Sequence, residues 1–516
     1  MSSTIPQYEP AFRGETVNRS VIVVIAALVV AECVSAFEAG MIFIALPRFS
    51  EIFEAPASTT AWAVTAYMLV AATTALVGGR LGDMYGRKRT LILVLLISTV
   101  GSIISVVGDS MSAIILGRGV QGIAGAIMPL CYGLAREALP SSRVALGVGF
   151  IGGAGLLAGS GGSLIAGRLL DVWDWHLIFV FAGVLAIIAA LAVAVGIPAS
   201  KRSTTSSTFD ILGAVLMTPG LTAVLFGITQ GPKWGWGSAS VLGLIVGGIG
   251  ILAVWVAWEL RQSTPLINLR ILAQRRVSLT IVITGVLSIG PIGASMIITP
   301  IILLSPTSLP VGLGVSATVM GLMTAIGAIA GFAVGPLAGL VAGRWGGRIP
   351  LAAGVLLFIL CNFMILLGYN SVPWMMAALI VGAVATAFCY TAFPKVIIES
   401  VSEDVTSETT GVMVTARQAF SAIGVAIVSI ILSMSTVPGT PAPTLGAVRA
   451  CLIFFIVCSV VSLAVCIGLR SGPRVGSLEN PDNPAASRTQ AGTATPMQAS
   501  KPDVTSHVSP AAHRDR

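Results

Sequence analysis

The chain has 516 residues, of which 55% are hydrophobic and 10% are charged, and its formal net charge is +8. A soluble globular domain carries about 25% charged residues, so this composition excludes a soluble protein. The apolar residues form long continuous runs rather than short alternating segments, which excludes an outer-membrane barrel and indicates membrane-spanning helices.

The apolar runs follow one another along most of the chain. About 20 apolar residues cross the hydrocarbon core as a helix. We predict 14 such spans, near residues 22–46, 60–80, 90–108, 111–134, 145–167, 177–198, 209–230, 239–259, 277–304, 316–342, 350–369, 373–397, 409–434 and 446–469. The predicted fold class is therefore an all-α polytopic membrane protein.

We expect five parts along the chain. They are a cytoplasmic N-terminal segment (1–21), a six-helix bundle (22–198), two inserted linking helices with flanking loops (199–275), a second six-helix bundle (276–470) and a disordered cytoplasmic tail (471–516). The tail is rich in Pro, Ala, Ser and Thr and cannot bury enough apolar surface to offset the entropy of ordering. No small-residue cleavage pattern accompanies the first apolar run, so we expect no cleaved signal peptide.

Basic residues concentrate in alternate loops, on the side predicted to hold both termini. They are Arg87, Lys88, Arg89, Arg136, Arg143, Lys201, Arg202, Arg261, Arg270, Arg275, Arg276, Arg344 and Arg348. The other side carries little more than Arg48, Arg168 and Lys233. Because cytoplasmic loops of membrane proteins are enriched in Lys and Arg, we predict cytoplasmic termini in the cell (inner) membrane, and the positive charge requires no nucleic-acid partner.

Cysteine and histidine give no sign of a metal site. The seven cysteines lie in or beside apolar runs, where they are expected to be core residues. His176 has no ligand-like neighbour in a recognisable spacing, and dinucleotide-binding and phosphate-binding motifs are missing. We therefore expect a protein that is not an enzyme, has no cofactor and draws any transport energy from an ion gradient such as protons.

Residues 78–90 form a dense basic turn between two apolar spans, and residues 339–348 repeat its pattern 260 residues later. Both copies lie between the second and third span of a six-span group, which predicts a duplicated transporter with a site between its halves. The residues predicted to form a conformational gating loop are Gly79, Gly82, Asp83, Gly86, Arg87 and Lys88. The glycines permit a close turn, Asp83 can accept from a helix N-terminus or an arginine, and the basic residues hold the loop in the cytoplasm.

Residues 79–91 resemble the signature loop of the major facilitator superfamily, with departures at Gly82 and Met84. Glu38 followed by Ala45-Leu46-Pro47, Arg118-x-x-Gln121-Gly122, and residues 411–424 resemble motifs of its fourteen-helix drug:proton antiporter branch. The resemblance implies a 6+2+6 arrangement of helices and export of small molecules. In the fifth span, the family's Gly-Pro-x-x-Gly-Gly pattern is replaced by residues 162–167. Small residues predicted to permit close helix packing there are Gly155, Gly159, Gly162 and Gly167.

Ionisable side chains inside predicted spans are candidates for function, because each costs about 2.5–3.5 kcal/mol on insertion scales. Glu38 is the first candidate for the proton-coupling acid, since a buried carboxyl group can take up and release a proton when its hydration changes. Glu32 is the second, and its spacing of six residues places it on a different face of the helix. The resemblance implies a part in proton relay for Arg118, and we hypothesise that it pairs with a first-span glutamate.

The predicted substrate cavity combines these groups with aromatic, sulfur-containing and amide side chains. Its residues are Glu38, Met41, Tyr67, Arg118, Gln121, Arg417 and Gln418. The favoured function is proton-coupled efflux of hydrophobic or cationic small molecules by alternating access. The alternatives are proton-coupled uptake of a small organic acid and a non-transporting membrane sensor. The expected partners are the lipid bilayer, a small-molecule substrate and protons, and we expect a monomer.

Overall fold

The computed structural model describes residues 21–200, 210–262, 265–438 and 442–468. The predicted N-terminal segment, apart from Val21, and the predicted tail lie outside these residues. The described residues are almost entirely helical, and 14 helices are long and apolar enough to cross a membrane. The predicted all-helical fold with fourteen spans is therefore confirmed.

The first group holds six spanning helices. They are α1 Val21–Ile52, α2 Trp62–Tyr85, α3 Arg87–Val107, α4 Met111–Ala138, α5 Ser141–Val172 and α6 His176–Gly196. The inserted pair follows as α7 Ile211–Trp234 and α8 Ala239–Glu259. The second group is α9 Arg275–Leu304, α10 Ala317–Trp345, α11 Arg348–Gly368, α12 Val372–Ile398, α13 Thr406–Ser433 and α14 Leu445–Ile467.

Local sequence signals explain where several helices begin. An oxygen-bearing side chain accepts a hydrogen bond from a backbone N–H of the first turn at five of them, which satisfies a group that has no partner within the helix. The capping residues are Ser110, Asp210, Ser238, Ser316 and Thr444. Two helices are irregular inside: α4 contains a 3₁₀ turn at Gly122–Ala126, and α9 is interrupted by a π turn at Ser288–Ile292.

The two repeated loops adopt the same turn. Gly86 ends α2 with φ of +101°, and Gly346 ends α10 with φ of +80°. These two residues are 260 positions apart, the same offset as the sequence repeat. Residues with a Cβ rarely adopt such backbone angles, so glycine is required at both positions. The repeat in the sequence is therefore also a repeat in the structure. We call the end of the protein that holds both loops the basic side.

At two of the helix crossings between the halves, glycine lies directly against the backbone of the facing helix. In the α2–α13 crossing, a Cβ on Gly79 would overlap the carbonyl of Ser407. In the α5–α10 crossing, a Cβ on Gly339 would overlap the carbonyl of Ala145. Each crossing pairs the second helix of one half with the fifth helix of the other, as a pseudo-twofold axis requires. We call the surface along these two crossings the seam.

The inserted helices α7 and α8 pack against each other and against one side of the seam. A Cβ on Gly248 of α8 would meet the carbonyl oxygen of Gly220 of α7 at 2.8 Å, so the two helices approach closely. Where the pair meets α2, a small apolar cluster contains Leu76, Met217, Trp255, Leu266 and Ile267. The inserted helices are thus attached at the basic side of the seam.

Candidate functional site

The seam on the basic side is closed by a charged cluster centred on Glu408, in the first turn of α13. Glu408 is 2% exposed. Its Oε2 accepts a hydrogen bond from Arg80 Nη1 at 3.0 Å, and its backbone N–H donates to Asp83 Oδ2 at 2.8 Å. One residue of the second half therefore binds an arginine and an aspartate of the first. We call Arg80, Asp83, Arg87 and Glu408 the gate cluster.

Asp83 lies where a negative charge is favoured, because the amino end of α13 presents unpaired N–H groups and the positive end of the helix dipole. Its second oxygen, Oδ1, accepts from Arg87 Nε at 2.8 Å. This agrees with the prediction that Asp83 accepts from a helix N-terminus or an arginine, since both contacts are present. The carboxylate thus links the gating loop to the opposite half.

Arg87 lies deeper in the protein than a loop residue usually does. It was predicted to hold the loop in the cytoplasm, and it is only 5% exposed. Its Nη1 donates to Gly133 O and to Glu137 Oε2 at 3.3 Å each, and its Nη2 donates to Glu403 O across the seam. The reason is geometric, because the turn at Gly86 directs Arg87 inward, toward these three acceptors. The distribution of charge among the loops does not reveal such contacts. Lys88 does face outward, where its Nζ donates to Ala194 O at 2.7 Å and Ile197 O at 2.6 Å at the end of α6.

A second polar cluster lies inside the first half, far from the gate cluster. Ser98 Oγ donates to Glu38 Oε1, Gln121 Nε2 donates to Ser102 Oγ at 2.8 Å, and Arg118 Nη1 donates to Gln121 Oε1 at 3.0 Å. Glu38, Arg118 and Gln121 each have 0% exposure. We call Glu38, Ser98, Ser102, Arg118 and Gln121 the polar cluster. It brings together three of the predicted site residues from α1 and α4.

The hypothesised ion pair between Arg118 and a first-span glutamate is not formed directly. Within the described residues, Arg118 instead donates from Nε to Ala63 O at 3.3 Å and lies 4.1 Å above the ring of Tyr67. One nitrogen, Nη2, and one oxygen of Glu38, Oε2, are buried and have no hydrogen-bond partner. Because buried polar groups are normally paired, these two atoms are exceptions within the described part of the chain.

The polar cluster lies beside a close approach of α3 to α4. A Cβ on Gly101 of α3 would lie 2.6 Å from the carbonyl oxygen of Gly117 and 2.8 Å from the backbone nitrogen of Gln121 in α4. The glycine thereby brings the two helix backbones together at the level of Gln121 and Ser102. The positions of these side chains are consequently fixed by backbone packing.

Glu32 occupies a different face of α1, as predicted. It is 2% exposed, its Oε2 is unpaired, and a Cβ on Gly155 of α5 would lie 3.2 Å from its Oε1. The cation that acts on it electrostatically is Arg417 of the second half. Arg417 lies over the ring of Tyr390 at 4.5 Å, and its Nη2 is 3.7 Å from the sulfur of Met128. Glu32 and Arg417 therefore face each other across the seam without a direct ion pair.

The other predicted cavity and packing residues are spread more widely. Met41 is fully buried in an apolar core between α1 and α6, whereas Gln418 is partly buried. Among the packing glycines, Gly162 is closely apposed to Phe37, with 3.2 Å from a built Cβ to the Phe37 Cα. A Cβ on Gly159 would meet nothing within 4 Å, and one on Gly167 would meet only Ile44 at 3.7 Å.

On the side opposite the basic loops, His176 has two acidic neighbours, of which Asp109 is distant in the sequence. Its ring nitrogens face Asp174 and, at 3.5 Å, Asp109. Hydrogen bonds from the His176 backbone and ring lower the pKa of Asp174. In the described ranges, no group of three or more His, Cys, Asp or Glu residues is arranged to hold a metal ion.

Sequence reasoning missed Glu408, Arg80 and Arg136, which all bind across the seam. Arg136 Nη1 donates to Ser402 O at 3.1 Å and to Thr406 Oγ1 at 2.7 Å. Glu408 directly precedes the predicted span 409–434. At that position, an acid is typical of the membrane–water interface and does not indicate a specific partner. The available signal was Arg80, a charge at the end of the predicted span 60–80, where a partly buried cation needs an acidic partner.

Comparison with known proteins extends over most of the chain. A model of the Major Facilitator Superfamily matches residues 28–305 and 282–501. The tetracenomycin C resistance and export protein of Streptomyces glaucescens is 26% identical over 326 residues, which are 62% of this chain and 59% of that relative. The probable actinorhodin transporter of Streptomyces coelicolor is 30% identical over 352 residues, which are 64% of this chain and 58% of that relative.

Both alignments thus span less than two thirds of these relatives. Among solved structures, the human organic anion transporter MFSD10 (TETRAN) matches with a TM-score of 0.62 and 14% identity. The match covers 86% of this chain and 99% of the human protein. At this identity, the likeness is one of fold.

Proposed function

The chain belongs to the major facilitator superfamily, and we propose that it exports hydrophobic or cationic small molecules in exchange for protons. Membership of this family of multi-pass membrane transporters rests on the family match, the fourteen spans and the shared fold. The coupling ion, the direction and the substrate class are the proposal.

The observation that carries the proposal is the polar cluster with its two unpaired atoms. A carboxyl group out of water is more easily held in its neutral form, and a nearby guanidinium favours the charged form. Glu38 has no direct ion pair with Arg118, so its carboxyl group can hold a proton while water is excluded and release it when water enters. A cationic substrate would compete for the same carboxylate. Glu38 is therefore the proposed proton-coupling acid, with Arg118 as the group that stabilises its charged form.

The closed seam supports alternating access. The cross-half hydrogen bonds of Arg80, Asp83, Arg87 and Arg136 lie at the basic side, and Thr415 Oγ1 donates to Ala72 O at 2.7 Å near the middle of the helices. If the basic side is cytoplasmic, as loop charge favours, this conformation is closed to the cytoplasm. Export then requires these bonds to break so that substrate can enter from that side.

The substrate class draws on the relatives and on Arg417. The two bacterial relatives are named for the export or transport of tetracenomycin C and actinorhodin, which favours efflux of small organic molecules. A second candidate remains proton-coupled uptake of a small organic acid. It is favoured by Arg417, which forms no ion pair within the described part of the chain and could bind a carboxylate at the seam.

The test uses inside-out vesicles from a host that lacks its own pumps, with ethidium as the cationic probe and benzoate as the anionic one. After energisation, ethidium should collapse the pH gradient in vesicles that contain the protein. Glu38→Gln should abolish this response at equal protein level, whereas Glu51→Gln, at an exposed acid paired with Arg48, should retain it. A response to benzoate alone would favour the organic-acid alternative, and full activity of Glu38→Gln would remove this acid from the mechanism.

A further inference from the structure

The segment that follows the inserted helices enters the seam beside the gate cluster. We call residues 265–268 the linker segment. Leu266 and Ile267 are 1% and 2% exposed, although they belong to no helix. They pack against Leu76 of α2 and Trp255 of α8. A connecting segment normally runs over the surface, so burial of both side chains indicates a defined position.

Glu259, the last residue of α8, fixes the backbone of this segment. Its Oε2 accepts a hydrogen bond from the N–H of Leu266 at 3.2 Å, and its Oε1 accepts from the N–H of Ile267 at 2.9 Å. Glu259 is 3% exposed. Both oxygens of a buried carboxylate are thus used to orient two successive peptide groups, which directs the next N–H group, that of Asn268, toward α13.

Asn268 completes the connection. Its backbone N–H donates to Glu408 Oε1 at 2.8 Å, while Glu408 Oε2 holds Arg80. Glu408 therefore joins the first half, the second half and the inserted pair. Asp83 lies close by and repels the charge of Glu408, since it bonds to the backbone N–H of the same residue. The Asn268 N–H stabilises the Glu408 carboxylate against this repulsion.

We infer that Glu259 is a positioning residue of the transport cycle, which acts through the linker segment and Glu408 to stabilise the conformation closed on the basic side. The inserted helices would then set how readily that side opens. This inference rests on the alternating access proposed above. In this view, α7 and α8 influence the equilibrium between the conformations closed and open on the basic side, and they do not serve only as a spacer between the halves.

A matched pair of variants isolates the Asn268 N–H group. Asn268→Pro removes this donor, and the φ of −75° at Asn268 is compatible with proline. Asn268→Ala keeps the donor and removes only the side chain, which caps the short helix Leu269–Leu272. Glu259→Gln is the independent third variant, because it removes the charge and one of the two acceptors without altering the backbone of the linker segment.

The measurement is the distance between spin labels on non-canonical residues at Ser142 and Arg344, which are exposed on opposite halves at the basic side. We expect the population with a long distance to rise about tenfold in Asn268→Pro and Glu259→Gln, because a hydrogen bond to a charged group is lost. Asn268→Ala should change it less than about twofold. Equal populations in all four proteins, with unaltered melting temperatures, would overturn the inference.

A second label pair separates this inference from the proposed function. Exposed positions Glu51 and Ser308 report on the side opposite the basic loops. If alternating access holds, this distance shortens as the basic side opens. Opening of the basic side in the variants without that change would support the role of Glu259 and contradict alternating access. A wild-type protein that alternates between both states, with variants that match it, would contradict only the role of Glu259.

Discussion

Two loops with the same fold carry different chemistry in the two halves. Both end a second helix at a glycine with positive φ, Gly86 and Gly346, and both belong to a helix that crosses the fifth helix of the other half. In the first half, Asp83 reaches the amino end of α13, whereas Gly343 stands at the equivalent position in the second half. The nearest atom to a Cβ at Gly343 would be the Cβ of Ala145, at 3.5 Å.

Comparison of the two loops separates the contribution of helix packing from the contribution of charge to the contact between the halves. Close approach of the helices is common to both crossings and depends on glycine. Within the described residues, charged side chains bond across the α2–α13 crossing but not across the α5–α10 crossing, and there they bias a contact that packing already permits. We therefore expect changes in packing to act equally on both crossings and changes in charge to act on one.

The largest effect is expected from filling the crossings. Gly79→Ala and Gly339→Ala each place a methyl group against a carbonyl of the facing helix. Overpacking typically costs about 1–3 kcal/mol, so ethidium efflux should fall roughly 10- to 100-fold in both. Gly159→Ala is the control, because its methyl group would meet nothing within 4 Å. An effect at only one crossing would show that the packing is not shared.

A smaller effect is expected from the charge. Asp83→Asn keeps an acceptor for the N–H of Glu408 but removes the charge at the helix terminus, which contributes up to about 2 kcal/mol in partly buried sites. Efflux should fall about tenfold on this ground. The reverse change, Gly343→Asp, should alter efflux less than about twofold, because Gly347 stands where Arg87 stands in the first half. Comparable losses of efflux in Asp83→Asn and Gly343→Asp would contradict the expectation that charge acts at one crossing only.

The smallest effect on efflux is expected at the turns, where the cost falls on stability. Gly86→Ala and Gly346→Ala force a Cβ into a backbone region that glycine favours, at a cost of about 1–3 kcal/mol each. Thermal unfolding in detergent should show a similar decrease in stability for the two. Gly250→Ala in α8 has open space and a helical backbone, so it should be neutral or stabilising. A decrease confined to Gly86 would mean that the two turns are not equivalent.

The spans were predictable because a membrane helix must be long, apolar and internally hydrogen-bonded. The polar cluster was partly predictable for a related reason: Glu38 and Arg118 interrupt apolar runs where a charge is costly. Ser98 and Ser102, which complete that cluster, were not predictable from the sequence, since hydroxyl groups are common in spans. Only the approach of α3 to α4 places these two hydroxyl groups beside Glu38 and Gln121.

The gate cluster shows where sequence patterns are insufficient. Loop charge indicates the side of the membrane but not the depth of a residue, so it did not predict that Arg87 is buried. Glu408 lies in the first turn of its helix, where acids are frequent for reasons unrelated to a partner. Its role depends on Arg80, 328 positions away, and on Asn268 in the linker segment.

The contact of α3 with α4 at Gly101 has a consequence for how protons reach Glu38. Because backbone atoms of these helices already touch there, the side chains of the polar cluster have little room to rearrange while the halves rock. The chemistry of the carboxyl group is then governed by which aqueous compartment reaches it. Under the proposed mechanism, the first half would act as a fixed proton receptor, and the motion of the second half would determine from which side of the membrane it is filled and emptied.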